Sequence, residues 1–211
     1  MPPPRRALLA AAVLAPLVAC GRRRKPAAAV VPAGAVVLAL GDSLTFGTGA
    51  APEESYPAQL ARLTGWQVVN AGVPGDTSAQ ALERLPALLA EHAPALVIVG
   101  LGGNDFLRRL PDEGTRANLR RICETARAAG AQVLLLGVPQ PTLTAGLSGR
   151  LSDHPLYAET ADALKLPLHG GGWSEVLADA ALRSDQIHAN GAGYRRFAER
   201  LADAARTLGL R

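Results

Sequence analysis

Residues 95–101 read Ala-Leu-Val-Ile-Val-Gly-Leu, seven positions without one charged side chain. A run of this kind predicts a central strand buried on both faces. Similar runs lie at Val36–Leu40 and at Gln132–Val138, the latter centred on Val133-Leu134-Leu135-Leu136. Gln67–Ala71 and the short Pro167–His169 complete five expected strands. Helical spacing fills the intervals. Pro52–Leu63 places Tyr56, Leu60 and Leu63 on one face and stops at Gly65. Thr77 with Gln80 fits a capping box, and Leu82, Leu85, Leu88 and Leu89 follow at helical spacing, with Pro86 expected to kink or divide that helix. Thr115–Ala129 closes at Gly130, Asp153–Leu164 and Trp173–Leu177 are shorter candidates, and Asn190 opens a last helix with Tyr194, Phe197, Leu201, Ala204 and Leu208 inward. Strands that alternate with helices give an α/β chain with a parallel sheet. Apolar strands need helices on both faces, so three layers are expected.

The 211 residues suffice for one domain with a sizeable core. The formal charge is +4, but six of the 22 basic side chains precede residue 26, which leaves 16 against 18 acidic ones, or −2. No polycationic footprint for nucleic acid remains. Met1–Arg6 is basic and Ala7–Ala19 is apolar but for Pro16, the layout of a secretory signal and too short for a bilayer span. Leu17-Val18-Ala19-Cys20 resembles the lipobox of bacterial lipoproteins, in which Cys20 becomes the lipid-bearing first residue. Ordinary cleavage after Ala19 and a retained N-terminal anchor are the competing readings. The expected division is a signal at 1–19, a tether at 20–35 and the domain at 36–211. The second cysteine, Cys123, shares a helical face with Leu119, Ile122 and Ala126 and reads as core. No Cys/His cluster has metal-ligand spacing, and no cofactor is implied.

Polar clusters stand where strands end: Asp42-Ser43, Gly75-Asp76, Gly103-Asn104, and Asp185-Gln186-Ile187-His188 before the last helix. Parallel strands bring their C-terminal ends to one edge, where ligands bind. Ser43 is either a strand-end cap or a nucleophile. His188 can serve as its base, with Asp185 three residues earlier fixing the imidazole, or it can be a surface residue at a helix start. The Ser43 and Gly75 backbone N–H groups and the Asn104 amide are candidate oxyanion donors. Leu44, Phe106, Leu107 and Leu110, with Phe46, are available to wall an acyl or aryl pocket, and each is equally a core candidate.

Gly41-Asp42-Ser43-Leu44, Gly75-Asp76, Gly102-Gly103-Asn104-Asp105 and Asp185-x-x-His188 occur in the order seen in SGNH hydrolases, the GDSL esterase family, which the chain resembles over nearly all of residues 36–208. Val69–Ser78 and Leu82–Leu89 bring it nearest the thioesterase I, lysophospholipase L1 and arylesterase group. The resemblance implies a five-stranded parallel sheet in the order 2-1-3-4-5. It implies Ser43 as nucleophile, His188 as base, Asp185 as its orienting carboxylate, and Ser43, Gly75 and Asn104 as the oxyanion hole. It implies a monomeric hydrolase of small esters, thioesters or lysophospholipids without a cofactor, in the bacterial periplasm or envelope. Ala189-Asn190 stands where many relatives have Pro-Asn, and residues 142–172 have no residue-by-residue counterpart. A carbohydrate O-acetylesterase and a catalytically lapsed envelope binding protein are the alternatives.

Overall fold

The computed structural model describes residues 29–140 and 151–211. The expected signal segment, Cys20 and most of the 139–151 loop lie outside the described residues.

Five parallel strands form one sheet in the order β2-β1-β3-β4-β5. They are β1 (Val36–Gly41), β2 (Gln67–Gly72), β3 (Leu96–Gly100), β4 (Gln132–Leu136) and β5 (Leu168–His169). Side chains alternate across a strand, and the two faces bury different partners. Val37, Ala39, Leu96, Ile98, Leu134 and Leu136 join the core beneath α2 (Tyr56–Thr64), α7 (Gly172–Ala178) and α8 (Gly191–Thr207). Leu38, Leu40, Val97, Val99, Val133 and Leu135 join the core beneath α3 (Ser78–His92), α5 (Asp112–Ala128) and α6 (Leu156–Leu164). The expected three layers and strand order are therefore present. Two short helices, α1 (Ser43–Phe46) and α4 (Gly103–Leu107), start at the ends of β1 and β3. They are too short to leave a periodic signal.

Two expectations need correction. Of the kink or division expected at Pro86, division does not occur: α3 is one helix from Ser78 to His92 with the Thr77–Gln80 capping box formed. Pro86 lies on the exposed face, while Ala81, Leu85 and Leu89 bury the other. Burial of that face holds the helix across the missing amide bond. The segment expected to be tether also differs: from residue 29 onward it is part of the domain. Val31 is 2% exposed, its N–H donates to the Leu210 carbonyl at 2.8 Å, and its carbonyl accepts from the Trp66 indole at 3.0 Å. The Ala29 backbone exchanges two hydrogen bonds with the Gln132 side chain. This segment crosses the edge where the strands begin, opposite the edge that carries the polar clusters.

Val31→Ala removes two buried methyl groups from that junction. It is expected to lower unfolding free energy by about 2 kcal/mol in urea denaturation. A change below about 0.3 kcal/mol would mean that residues 29–35 act only as a tether.

Candidate active site

Ser43 is the first residue of α1, directly after β1. Asp42 caps that helix: its Oδ1 accepts the Leu44 N–H at 3.0 Å. The helix sits close against the strand ends because two of them are glycine. A Cβ on Gly41 would overlap the Thr45 side chain and lie 2.8 Å from the Gly100 carbonyl, and one on Gly72 would overlap the backbone of Phe46. Only a bare Cα allows this approach.

His188 arrives from a loop 145 residues later in the chain. That loop is braced. Arg183 and Ala189 form an isolated antiparallel bridge, and Ser184 N–H donates to the His188 carbonyl at 3.0 Å. Asn190 donates to the Ala181 and Arg183 carbonyls while its Oδ1 accepts the Gly193 N–H, which caps α8. The His188 ring then stands with Nε2 2.9 Å from Ser43 Oγ and Nδ1 2.7 Å from Asp185 Oδ2. Asp185 Oδ1 accepts the Ile187 and His188 amides, each at 2.8 Å. Partial burial works against ionisation of this carboxyl. The His188 ring and the two amides outweigh it and hold the group below the usual carboxylate range. An ionised Asp185 only accepts, so Nδ1 carries the imidazole proton and Nε2 is left to accept from Ser43 Oγ–H. The structure thus brings Ser43, His188 and Asp185 into one hydrogen-bonded chain.

The other expected residues divide. Gly75 turns the loop after β2 with φ +85°, a left-handed conformation that glycine takes without strain. Neither its N–H nor that of Ser43 donates to a described residue. Asn104 Nδ2 donates to the Asp76 carbonyl at 2.9 Å and has only a long 3.5 Å contact to Asp42 Oδ2, so one of its two N–H groups is weakly engaged. Leu44 belongs to the buried core with Tyr56 and Leu60, so it is not a pocket wall. Phe106 is also buried; the His154 ring stacks on it at 4.5 Å. Leu107 and Leu110 are exposed, as are Phe46, Val73 and Ile187. All five lie in segments that follow strand ends or flank His188. Cys123 is buried, and burial pushes its thiol up to about 12, as suits a core residue.

Several supporting residues carry no local sequence signal. Arg108 donates to the Gly75 carbonyl at 2.8 Å, and Arg84 pairs with Asp76 at 2.7 Å and reaches the Gly41 carbonyl. Asp105, adjacent to Asn104, is not part of the Ser43 cluster. It accepts the Ser78 N–H, the Ser78 hydroxyl and the Thr115 hydroxyl, and so locks α4 to the starts of α3 and α5. Among the described residues no group of three His, Cys, Asp or Glu side chains is placed to hold a metal ion.

Residues 39–196 match the model of the GDSL-like Lipase/Acylhydrolase family. Thioesterase 1/protease 1/lysophospholipase L1 of Escherichia coli K12 is 38% identical over 165 residues, which is 75% of this chain and 77% of that protein. Esterase TesA of Pseudomonas aeruginosa is 44% identical over 114 residues, 52% of this chain and 57% of the relative's length. The crystal structure of TesA superposes with a TM-score of 0.72 at 34% identity, covering 82% of this chain and 99% of that one. The chain belongs to the GDSL-like lipase/acylhydrolase family and is, at the level of that family, a serine hydrolase of ester bonds.

Proposed function

We propose that this domain hydrolyses carboxylic esters and thioesters by two-step acyl transfer on Ser43. The observation that carries the reading is the unbroken chain from Ser43 Oγ through His188 to Asp185, at 2.9 and 2.7 Å. Ser43 Oγ attacks the carbonyl carbon as His188 Nε2 takes its proton. The oxyanion is held by the Ser43 and Gly75 N–H groups and by the less engaged N–H of Asn104. His188 returns the proton to the departing alcohol or thiol, which leaves Ser43 acylated. Water, deprotonated by the same imidazole, then releases the acid. The exposed rim of Phe46, Val73, Leu107, Leu110 and Ile187 suits an apolar acyl chain. Esters, thioesters and lysophospholipids, the classes that the relatives' names carry, are the substrates assigned. The lipobox-like Leu17–Cys20 stretch supports placement in a bacterial envelope with a lipid tether at Cys20.

Residues 26–211 are expected to turn over p-nitrophenyl esters, and Ser43→Ala to lower kcat by at least about 10³-fold with an unchanged circular dichroism spectrum. An alanine variant that keeps wild-type turnover would remove Ser43 from the mechanism. A folded wild type without turnover on any chain length from two to sixteen carbons would favour the lapsed binding protein.

Asp42 gives the site a pH signature. Burial pushes its carboxyl up to about 6, against the Leu44 amide and the charge of His188, which favour ionisation. The folded state therefore binds this proton more tightly than the unfolded chain, whose carboxyl titrates near 3.8. The stabilisation is complete below that value and is lost as pH rises through about 6. The stability of Asp42→Asn relative to wild type should accordingly improve by about 2 kcal/mol between pH 4 and pH 8. Urea denaturation at pH 4, 6 and 8 reads this directly; a constant difference would assign Asp42 an ordinary titration.

A further inference from the structure

Two of the candidate oxyanion donors come from segments that do not adjoin in the chain, the turn after β2 and the helix α4. Residues 73–76 form a hydrogen-bonded turn, in which the Asp76 N–H donates to the Val73 carbonyl at 3.1 Å. Pro74 fixes a negative φ at the second position and Gly75 takes φ +85° at the third, the pattern of a type II turn. The Gly75 N–H has no acceptor among the described residues.

The rest of the turn is pinned. The Val73 N–H donates to the Gly41 carbonyl at 3.1 Å, and that carbonyl also accepts Arg84 Nη2 at 3.0 Å. Arg84 Nε pairs with the Asp76 carboxylate at 2.7 Å. The last two carbonyls are held from α4: Arg108 Nη2 donates to that of Gly75 at 2.8 Å and Asn104 Nδ2 to that of Asp76 at 2.9 Å. Residues four apart on a helix share a face, so α4 presents Asn104 and its C-cap Arg108 together. The place of α4 is set independently of the turn, since Asp105 fastens it to the starts of α3 and α5.

We propose that Arg108 is a positioning residue for the reaction: it ties the Gly75 turn to α4 and so fixes the Gly75 N–H relative to the Asn104 amide. Donors serve a developing oxyanion only when they stand at hydrogen-bond distance from the place it will occupy. Glycine has more backbone freedom than any other residue, and a tie on its own carbonyl restricts that freedom at the residue concerned. Arg108 is exposed, so its contribution lies in this contact and not in the core. The proposal rests on the acyl-hydrolase reading above and on Gly75 as an oxyanion donor.

Two substitutions test it. Arg108→Met keeps an unbranched stem and removes the donor, whereas Arg108→Lys keeps one cationic donor, which is all that a single carbonyl needs. Purified residues 26–211 of each are assayed on p-nitrophenyl butyrate, an uncharged substrate that gives Arg108 no charge to attract. Arg108→Met is expected to lower kcat about tenfold, less than the loss of a whole oxyanion donor, with KM within about twofold and an unchanged melting temperature. Its rate of inactivation by a fluorophosphonate should fall in similar proportion, because phosphonylation loads the same donors. Arg108→Lys should recover most of the loss. The acid limb of the kcat/KM profile should stay in place, and added salt should leave the ratio of wild type to Arg108→Met unchanged, as a through-space charge effect would not. Wild-type kcat in Arg108→Met, a loss confined to KM, or a displaced acid limb would overturn the role of Arg108 while the hydrolase reading stood. Failure of the wild type to turn over any ester would overturn both.

Discussion

Everything at the catalytic edge depends on how closely a four-residue helix can approach the ends of two strands. Gly41 and Gly72 leave no side chain between the sheet and α1, so Ser43 stands directly over the strand ends. Parallel pairing of β1 with β2 and β3 sets Gly41 level with Gly72 and Gly100. The loops that carry Gly75 and Asn104 therefore emerge at the same height as the serine. A sheet that must bury both faces sends every crossover around its sides and frees one edge for chemistry.

Three buried carboxylates then hold that edge together, each in a different way. Asp42 caps α1, Asp76 pairs with Arg84, and Asp105 gathers the starts of α3 and α5. Buried acids with satisfied partners make such an arrangement rigid, whereas removal of one partner leaves a desolvated group exposed to its full penalty. His188, the proposed base, needs rigidity from a separate source, because its loop is distant in sequence. The Arg183–Ala189 bridge and the Asn190 side chain supply it. Preorganisation of this kind is what lets hydrogen bonds to a developing charge lower a barrier.

Much of this was legible in the residues themselves. The apolar runs and helical spacings mark the strands and long helices to within a few positions, because burial on a two-layered periodic pattern is a local signal. Ser43 at a strand end, and Asp185 with His188 before the last helix, were legible as chemistry, and four motifs in family order joined them. The rest depends on tertiary partners. Val31 is one apolar residue in a run of small ones, and only Trp66 and Leu210 make it core. Leu44 adjoins the serine in sequence but points into the core, because a four-residue helix has no readable period. Pro86 read as a point of kink or division, yet α3 runs on through it with Pro86 on its exposed face.

The central claim is that Ser43 carries the acyl group. The most direct measurement is intact-protein mass spectrometry after exposure to a fluorophosphonate, followed by peptide mapping. One adduct on Ser43, absent from the His188→Ala variant at the same exposure, is the predicted result. A stoichiometric adduct on another residue, or full turnover in protein whose Ser43 is blocked, would contradict the account.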